Sequence, residues 1–507
     1  MSRPLVIRDV VHGYISLDEQ DRLLLNTPLV QRLRYVRQND VAHMVFPSMN
    51  TTRLEHSLGV LHVAGLLMEH ALAAVTPKTT SSYLRELFDV IPTANRPSSA
   101  TRLQPSLKRA ARWYGLLHDI GHLPYSHLVE NCIEDTLPPQ ADDKARVTVL
   151  YPSTTFKKIH EAAGEEIVKN DPAIRKALSQ DPPAAWLVEQ LLSSETANPS
   201  ILQPFKDILT ADVDADRIDS TMRDGLFSGG DIGRYDIGRL EQSTILHKHN
   251  GQWKIFFTTR AINAVESLLI ERFKTYRWLH YHPKVVAFKN AFRHCFRNLG
   301  VAPDDWHASK YVHAKGYLDD AFVRGLIAER ATSPPYPAHV DRARKAILFR
   351  TNDARSLWKR RDDYRALSIR FAEQQPDPPA ERELKALYLN GYKSATTSIE
   401  EGMNAGVPAA LRDELRILVT PLNFKAFDDS RWGSNIGEFH ILKDNDLAAS
   451  PLRLTTESRL VRSLLDAASA EPGLGVTVIG DPEKKHQELL ESLFLKALGP
   501  IKLPNLS

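Results

Sequence analysis

LKRAARWYGLLHDIGHLPYSHLVE, residues 107–130, joins an apolar helical stripe to a dense cluster of histidine and carboxylate side chains. Leu107, Ala110, Ala111, Tyr114 and Leu117 recur at the spacing of one helix face, which predicts a helix packed on a core. Three histidines, an aspartate and a glutamate follow within residues 118–130. His118 and His122 are four apart, so on a continuing helix they share a face, with Asp119 on the neighbouring one. Gly121 and Pro124 predict that this helix ends or bends there.

The same periodicity recurs on either side. Val60, Val63, Ala64, Leu67 and Ala71 form one stripe, and Ile262, Val265, Leu269, Phe273 and Tyr276 another. Together they predict a helical bundle over roughly residues 20–300. Residues 5–16 read as a short hairpin turning at His12-Gly13. PTANRPSSA (92–100) and TLPPQADD (136–143) read as loops, SPPYPAH (333–339) and QQPDPPAE (375–381) as boundaries. Beyond them ELRILVT (414–420), FHIL (439–442), LRLTT (452–456) and GVTVIG (475–480) are strand-like, with helices expected at 460–469 and 484–498. The expected fold is mainly α: a helical domain with its extension over 1–375 and a smaller C-terminal α+β lobe over 382–507.

Composition narrows the class. A chain of 507 residues is too long for one core, and 42% apolar with 25% charged residues excludes general disorder. The net charge of +3 gives no strong footprint for nucleic acid, so that partner is weakly supported. The run Arg32, Arg34, Arg37 reads as a solvated helix face. Cys132 and Cys295 cannot form a disulfide framework or a Cys-rich zinc module, and they fit a cytoplasmic protein. The N-terminus has no signal-peptide core, and no membrane span is expected.

One His-Asp pair cannot fill a coordination sphere. Further ligands are offered by His56 in TTRLEHSLGV and by DVDADRIDSTMRD, with Asp212, Asp214, Asp216, Asp219 and Asp224. In a helix, 212, 216 and 219 or 220 line one face. Alone, a His-Asp dipeptide is usually a surface or core hydrogen-bonding pair, and spaced aspartates are usually a solvated helix face. Their joint occurrence beside apolar helices points to a metal site. HDIGH also has the spacing of the zinc-protease motif, but Asp119 is one methylene shorter than the glutamate that chemistry needs, and Pro124 follows closely.

These blocks resemble the HD superfamily, named for its His-Asp pair, and within it the deoxynucleoside triphosphate triphosphohydrolases that carry SAM and HD domains. The matching segments are DVVHGYI (9–15), PLVQRLRYVRQ (28–38), VFPSMNTTRLEHSLGV (45–60), GLLHDIGHLPYSH (115–127) and DVDADRIDSTMRD (212–224). HEAAGEEI (160–167) and RFKTYRWLHYHPKV (272–285) match less strongly. The resemblance implies an HD-domain bundle with a divalent ion (Mg, Mn, Fe, Ni or Zn) on His56, His118, Asp119 and Asp216, and Asp214 steadying a ligand. It implies catalytic roles for His122, His127, Glu130 and His160, with Glu130 holding the tautomer of His160. Arg53, Gln38, Asn39, Arg217, Asp224 and Tyr281 would face the nucleotide. The implied reaction is hydrolysis at the α-phosphorus, giving nucleoside and triphosphate, by a homo-oligomer.

The sequence departs from that pattern in three places. Asn39-Asp40 replaces a Leu-Gly pair whose leucine helps to exclude a 2′-hydroxyl, so the choice between deoxy- and ribonucleotides stays open. Ser220 stands where the family has tyrosine. No SAM segment precedes the HD blocks, so nucleotide-gated assembly is not expected in the same form. Two other readings are carried forward: another HD phosphohydrolase (a phosphodiesterase, nuclease or signalling-nucleotide hydrolase), or a nucleotide-binding regulator with a non-catalytic metal site. His12 reads as structural packing of the hairpin.

Overall fold

The computed structural model describes residues 5–137, 147–156, 158–196, 200–330, 336–373, 392–422, 439–444, 446, 450–469 and 474–498. The chain is mainly α-helical, with four small sheets among these residues. It begins with the antiparallel hairpin β1 (Leu5–Asp9) and β2 (Gly13–Leu17). The helices that build the site follow: α1 (Arg53–Ala73), α2 (Gln104–Leu117), α3 (His127–Thr136), α4 (Ile159–Asn170) and α5 (Ala215–Ser228). Then come β3 (Thr244–His249), β4 (Gln252–Thr258), α6 (Ile262–Thr275) and α7 (Pro283–Arg297).

α1 is the central helix and packs most extensively on α2. Its N-terminus is fixed by a capping box, in which Thr52 and Glu55 satisfy each other's backbone N–H groups. Val60, Val63, Ala64, Leu67 and Ala71 are all buried, as are Leu107, Ala110, Ala111, Tyr114 and Leu117 on α2. The two stripes therefore face one another across one large core.

The expected all-helical stretch to residue 300 is interrupted by β3 and β4. They pair through Asn250-Gly251, both at positive φ (48° and 77°), the backbone of a tight hairpin turn. The later elements include β5 (Ala354–Ser356), α8 (Tyr392–Gly406), β6 (Arg416–Pro421), β7 (His440–Leu442), β8 (Leu452–Arg453), α9 (Arg459–Ser469), β9 (Leu474–Ile479) and α10 (Gln487–Leu498). LRLTT is strand for only two residues and turns helical from Leu454. The last helix starts at Gln487, three residues later than expected.

The C-terminal segment serves two cores. β9 pairs with β6 and β5, and with α8 and α10 it forms a second core that includes Ile399, Met403, Val419, Val476 and Phe494. β7 instead pairs parallel to β4, and Ile441, Leu454 and Val461 join the first core. The boundary expected at QQPDPPAE, and part of the loop at TLPPQADD, lie outside the described residues. No single described helix is long and apolar enough to cross a membrane.

Candidate metal centre and its histidine flank

α2 stops at Leu117, one residue before the His-Asp pair, with His118 as its C-cap. His118 and His122 therefore do not share a helix face as the spacing suggested; residues 118–121 form a turn. His118 Nδ1 bonds to the Gly115 carbonyl at 2.8 Å, which leaves Nε2 as the free ring nitrogen. That Nε2 is buried, lacks a hydrogen-bond partner, and lies 3.4 Å from Asp119 Oδ1.

His56 occupies the first turn of α1 and is fully buried. Its Nε2 sits 3.1 Å from Asp216 Oδ1 and 3.7 Å from Asp119 Oδ2, without the alignment of a hydrogen bond to either. Donor atoms of His56, His118 and Asp119 all lie within 4.8 Å of one another. Two buried, unpartnered imidazole nitrogens converging on carboxylates are what a His/Asp ion site requires. The residues present thus fit a divalent ion.

The electrostatics agree. Burial disfavours charge on His56, but Asp216 and Asp219 outweigh it and raise the imidazole to about 10. The pocket stabilises positive charge at this spot, and a metal would take the place of that proton. Burial pushes Asp119 up, yet Arg53, His118 and His122 prevail and hold it well below the usual carboxylate range. Arg53 is spent here: it pairs with Asp119 through Nη1 and donates from Nε to Ser126 Oγ at 2.9 Å.

The acid run divides its roles differently from expectation. α5 begins only at Ala215, so Asp212 precedes it, and Asp214 is its N-cap, accepting from Arg217 N at 2.7 Å. Burial raises the Asp214 carboxyl to about 7 against the pull of Arg217. Asp214 is thus occupied as a cap, and it is Asp219 that accepts from His56 Nδ1, at 2.7 Å. Asp219 stands one helical turn after Asp216, and that i, i+3 spacing was the available signal. Burial pushes Asp219 up, but Arg223, His12 and His56 hold it well below its usual range. Arg217 Nη1 is buried without a hydrogen bond, although Asp214 and Asp212 lie 3.6 and 3.8 Å away.

Beside the Asp119 carboxylate stands a second cluster: His122, His127, Glu130 and His160. His122 Nε2 lies 3.1 Å from Asp119 Oδ1, and its ring stacks on His160 at 4.0 Å. Burial, Arg53 and His160 hold His122 well below the usual imidazole range, so it is neutral. Glu130 bonds His160 Nδ1 at 2.7 Å, the His160 backbone N–H at 2.9 Å, and His127 Nδ1 at 2.9 Å. His127 is more than half exposed (56%), so it forms the open edge of the cluster.

The backbone makes this return possible. Tyr125 and Ser126 both adopt positive φ (51° and 55°), a conformation costing about 1–3 kcal/mol each for residues other than glycine. Tyr125 N–H donates to Asp320 Oδ1 at 2.7 Å, and Ser126 Oγ donates to the Arg37 carbonyl at 2.6 Å. Arg32, expected on a solvated face, is instead fully buried. It donates to the carbonyls of His122 (2.5 Å), Leu318 (2.9 Å) and Ile120 (3.3 Å), and lies 4.1 Å over the ring of Tyr311. Its charge serves the 118–125 loop, a role that a lone arginine in sequence does not disclose.

Gly121 allows α4 to approach. A Cβ there would meet the His160 carbonyl at 2.1 Å. Gly121→Ala is expected to destabilise the fold by about 1–3 kcal/mol or more through overpacking, measured as a lower urea midpoint.

Of the expected nucleotide-facing residues, Arg53 and Arg217 lie beside the centre, and Asn39 and Asp224 pair with each other apart from it. Asn39 Nδ2 donates to Asp224 Oδ1 at 2.5 Å, and His280 Nε2 lies 3.4 Å from Asp224 Oδ2. Gln38 Oε1 is buried without a partner. Asp40 forms an ion pair with Lys289 at 3.0 Å. Asp216 and Asp224 are eight residues apart on α5, two turns or about 12 Å along one face. Tyr281 is half-buried after a π-helical turn, Tyr276–His280, its ring 5.7 Å from Tyr276.

The chain matches no protein-family model. It is 28% identical over 283 residues to an uncharacterized protein of Methanocaldococcus jannaschii, covering 55% of this chain and 46% of that one. Over 125 residues it is 35% identical to human deoxynucleoside triphosphate triphosphohydrolase SAMHD1, which is 25% of this chain and 16% of that protein. The matches span about half the length of the first relatives, and far less of SAMHD1. They support a distant relationship to that enzyme. A solved structure of a hypothetical protein from Aquifex aeolicus superposes over 97% of this chain and all of that one, with TM-score 0.58 at 19% identity. It shares the fold.

Proposed function

We propose that this protein is a metal-dependent phosphohydrolase of nucleoside triphosphates, releasing nucleoside and inorganic triphosphate. The observation that carries the reading is the convergence of His56, His118, Asp119 and Asp216 beside a Glu130-held imidazole pair. The limited similarity to SAMHD1 supports the choice of substrate class.

A divalent ion held by His56, His118, Asp119 and Asp216 would supply Lewis acidity toward the α-phosphate and activate water near neutral pH. The rest falls to the chain's own side chains. Glu130 fixes Nδ1 of His160 and His127, leaving each Nε2 for the substrate. In this reading water attacks the α-phosphorus and releases its proton to solvent, the bond to the nucleoside 5′-oxygen breaks, and His160, as an imidazolium whose Nδ1–H stays on Glu130, delivers its Nε2 proton to that oxygen. Arg217, with a buried donor to spare, receives the phosphate chain. Asp224, Asn39, Gln38 and Tyr281 receive the nucleoside.

The test is a hydrolysis screen of dNTPs, NTPs and one single-stranded DNA with Mg²⁺ or Mn²⁺, using the His118→Ala/Asp119→Ala double variant as blank. Triphosphate released by wild type alone supports the reading. Nucleotide or DNA cleavage without triphosphate supports another HD phosphohydrolase instead, and ion binding with no hydrolysis a regulator.

The Asn39–Asp224 bond favours keeping the ribonucleotide alternative, because a polar residue beside the sugar can accept a 2′-hydroxyl. Asn39→Leu is expected to raise the dNTP/NTP ratio of kcat/KM by about tenfold or more, since a site that hydrogen-bonds a hydroxyl discriminates more strongly than an apolar one. Paired kinetics on dGTP and GTP would measure it.

A further inference from the structure

We infer that the turn of the N-terminal hairpin is built into the metal centre, with His12 acting through Asp219 as a positioning residue for His56. The inference rests on the metal-site reading above.

The contacts run without a gap. His56 turns Nε2 toward Asp119 and Asp216 and gives Nδ1 to Asp219 Oδ2 at 2.7 Å. The other oxygen of Asp219 takes His12 Nε2, also at 2.7 Å. Arg223, one turn further along α5, clasps both oxygens (2.9 Å to Oδ2, 2.7 Å to Oδ1) and reaches Asp9 Oδ2 at 3.0 Å. Asp9 Oδ1 in turn accepts from the backbone N–H groups of Val11 and His12, both at 2.9 Å, and so shapes the turn that presents His12.

Two features make this more than hairpin packing. Ile15 and Leu17 bury one side of the hairpin in the core, but the turn's neighbours Val10 (64%) and Tyr14 (67%) are exposed, whereas the His12 side chain is 3% exposed. An apolar residue would fill that space; an imidazole there is matched to a carboxylate that already holds a ligand. The second feature is Gly59 on α1. A Cβ there would lie 1.8 Å from Asp219 Oδ1 and 2.7 Å from Arg223 Nη2, so α1 is shaped to admit this ion pair. With both Asp219 oxygens fixed, the ring plane of His56 is fixed, and ligand orientation of this kind is worth about 10–100-fold in metal affinity.

The experiment is Mn²⁺ binding to the full-length chain, read as free Mn²⁺ by electron paramagnetic resonance, with thermal melting of the metal-free protein alongside. His12→Phe keeps the ring volume and removes the donor. His12→Gln keeps a donor near the position of Nε2. We expect Mn²⁺ affinity to fall about 10–100-fold in His12→Phe and to be largely restored in His12→Gln. Gly59→Ala, approached from the opposite side, should weaken it in the same direction. Wild-type affinity in His12→Phe would overturn the inference while leaving the metal site intact. So would equal losses in both His12 variants that track a lower metal-free melting temperature, because the turn would then serve packing alone. Failure of the wild-type chain to bind Mn²⁺ would overturn the metal reading itself, and this inference with it.

Discussion

Asp119→Ala is expected to bring nucleotide hydrolysis to background and to release the divalent ion. This one carboxylate faces both histidines of the centre, His56 and His118, and the neighbouring His122. Oδ1 lies 3.4 Å from His118 Nε2 and 3.1 Å from His122 Nε2; Oδ2 faces His56 and pairs with Arg53. Its removal also strands Arg53, which is 4% exposed and would keep only Ser126 as a partner. Breaking a buried pair from one side costs about 3–5 kcal/mol, so the metal-free variant should also unfold at lower urea. Asp119→Asn separates the two effects. The amide keeps the volume and one acceptor but loses the charge, so it should recover part of the stability and little of the ion binding. Metal content after dialysis, triphosphate release and urea unfolding would check these expectations. An Asp119→Ala protein that retained both metal and activity would remove the basis of the proposed function.

The sequence exposed the parts of this molecule that depend on periodicity. The stripes through Val60 to Ala71 and Leu107 to Leu117 are helix faces in contact, because burying apolar side chains at 3.6-residue spacing leaves few other solutions. The His-Asp pair, His56 and the acid run stand out because imidazole and carboxylate side chains beside apolar helices carry a cost that solvation alone does not explain, whereas the choice of Asp216 among its neighbours rests on the resemblance to the HD superfamily. What escaped was set by distant contacts. Asn250-Gly251 is a local hairpin signal, yet the flanking strands sit inside a helical stretch whose periodicity masks them. FHIL pairs with β4 about 180 residues upstream, a partner that no local pattern names.

The same limit applies within the site. Asp214, Asp216 and Asp219 look alike in sequence; the start of α5 at Ala215 makes the first a cap, leaves the second facing His56 Nε2, and turns the third toward His56 Nδ1. Arg32 looked solvated because arginine usually is. Three carbonyls of loop backbone, invisible until the chain folds, draw it inside. His12 reads as packing in sequence for the same reason: its partner lies 207 residues away.

Glu130→Gln should lower kcat by about 10²–10⁴-fold, the usual contribution of one acid–base group, while leaving Mn²⁺ affinity near that of wild type. Glu130 is nearly fully buried, and its partners are the imidazoles of His160 and His127 and the His160 backbone N–H. Burial pushes its carboxyl up, but His160 and His127 outweigh this and hold it well below the usual range, so it is ionised and accepts only. An amide in its place carries a donor as well as an acceptor. At least one Nδ1–H would then face an N–H; that ring must flip or carry its single proton on Nε2, and no carboxylate remains to stabilise the doubly protonated ring that donates from Nε2. Two companions sharpen the expectation. His160→Ala should match Glu130→Gln, because both remove the same oriented proton. His127→Ala should lose less, because that ring is 56% exposed and water can replace it. The kinetics of all three, with Mn²⁺ affinity measured on the same preparations, test the division of labour. Loss of Mn²⁺ affinity in step with kcat would mean that Glu130 supports the metal ligands, and that the two clusters are one structural unit. Loss of kcat alone assigns the proton to the Glu130 cluster and leaves the ion to His56, His118, Asp119 and Asp216.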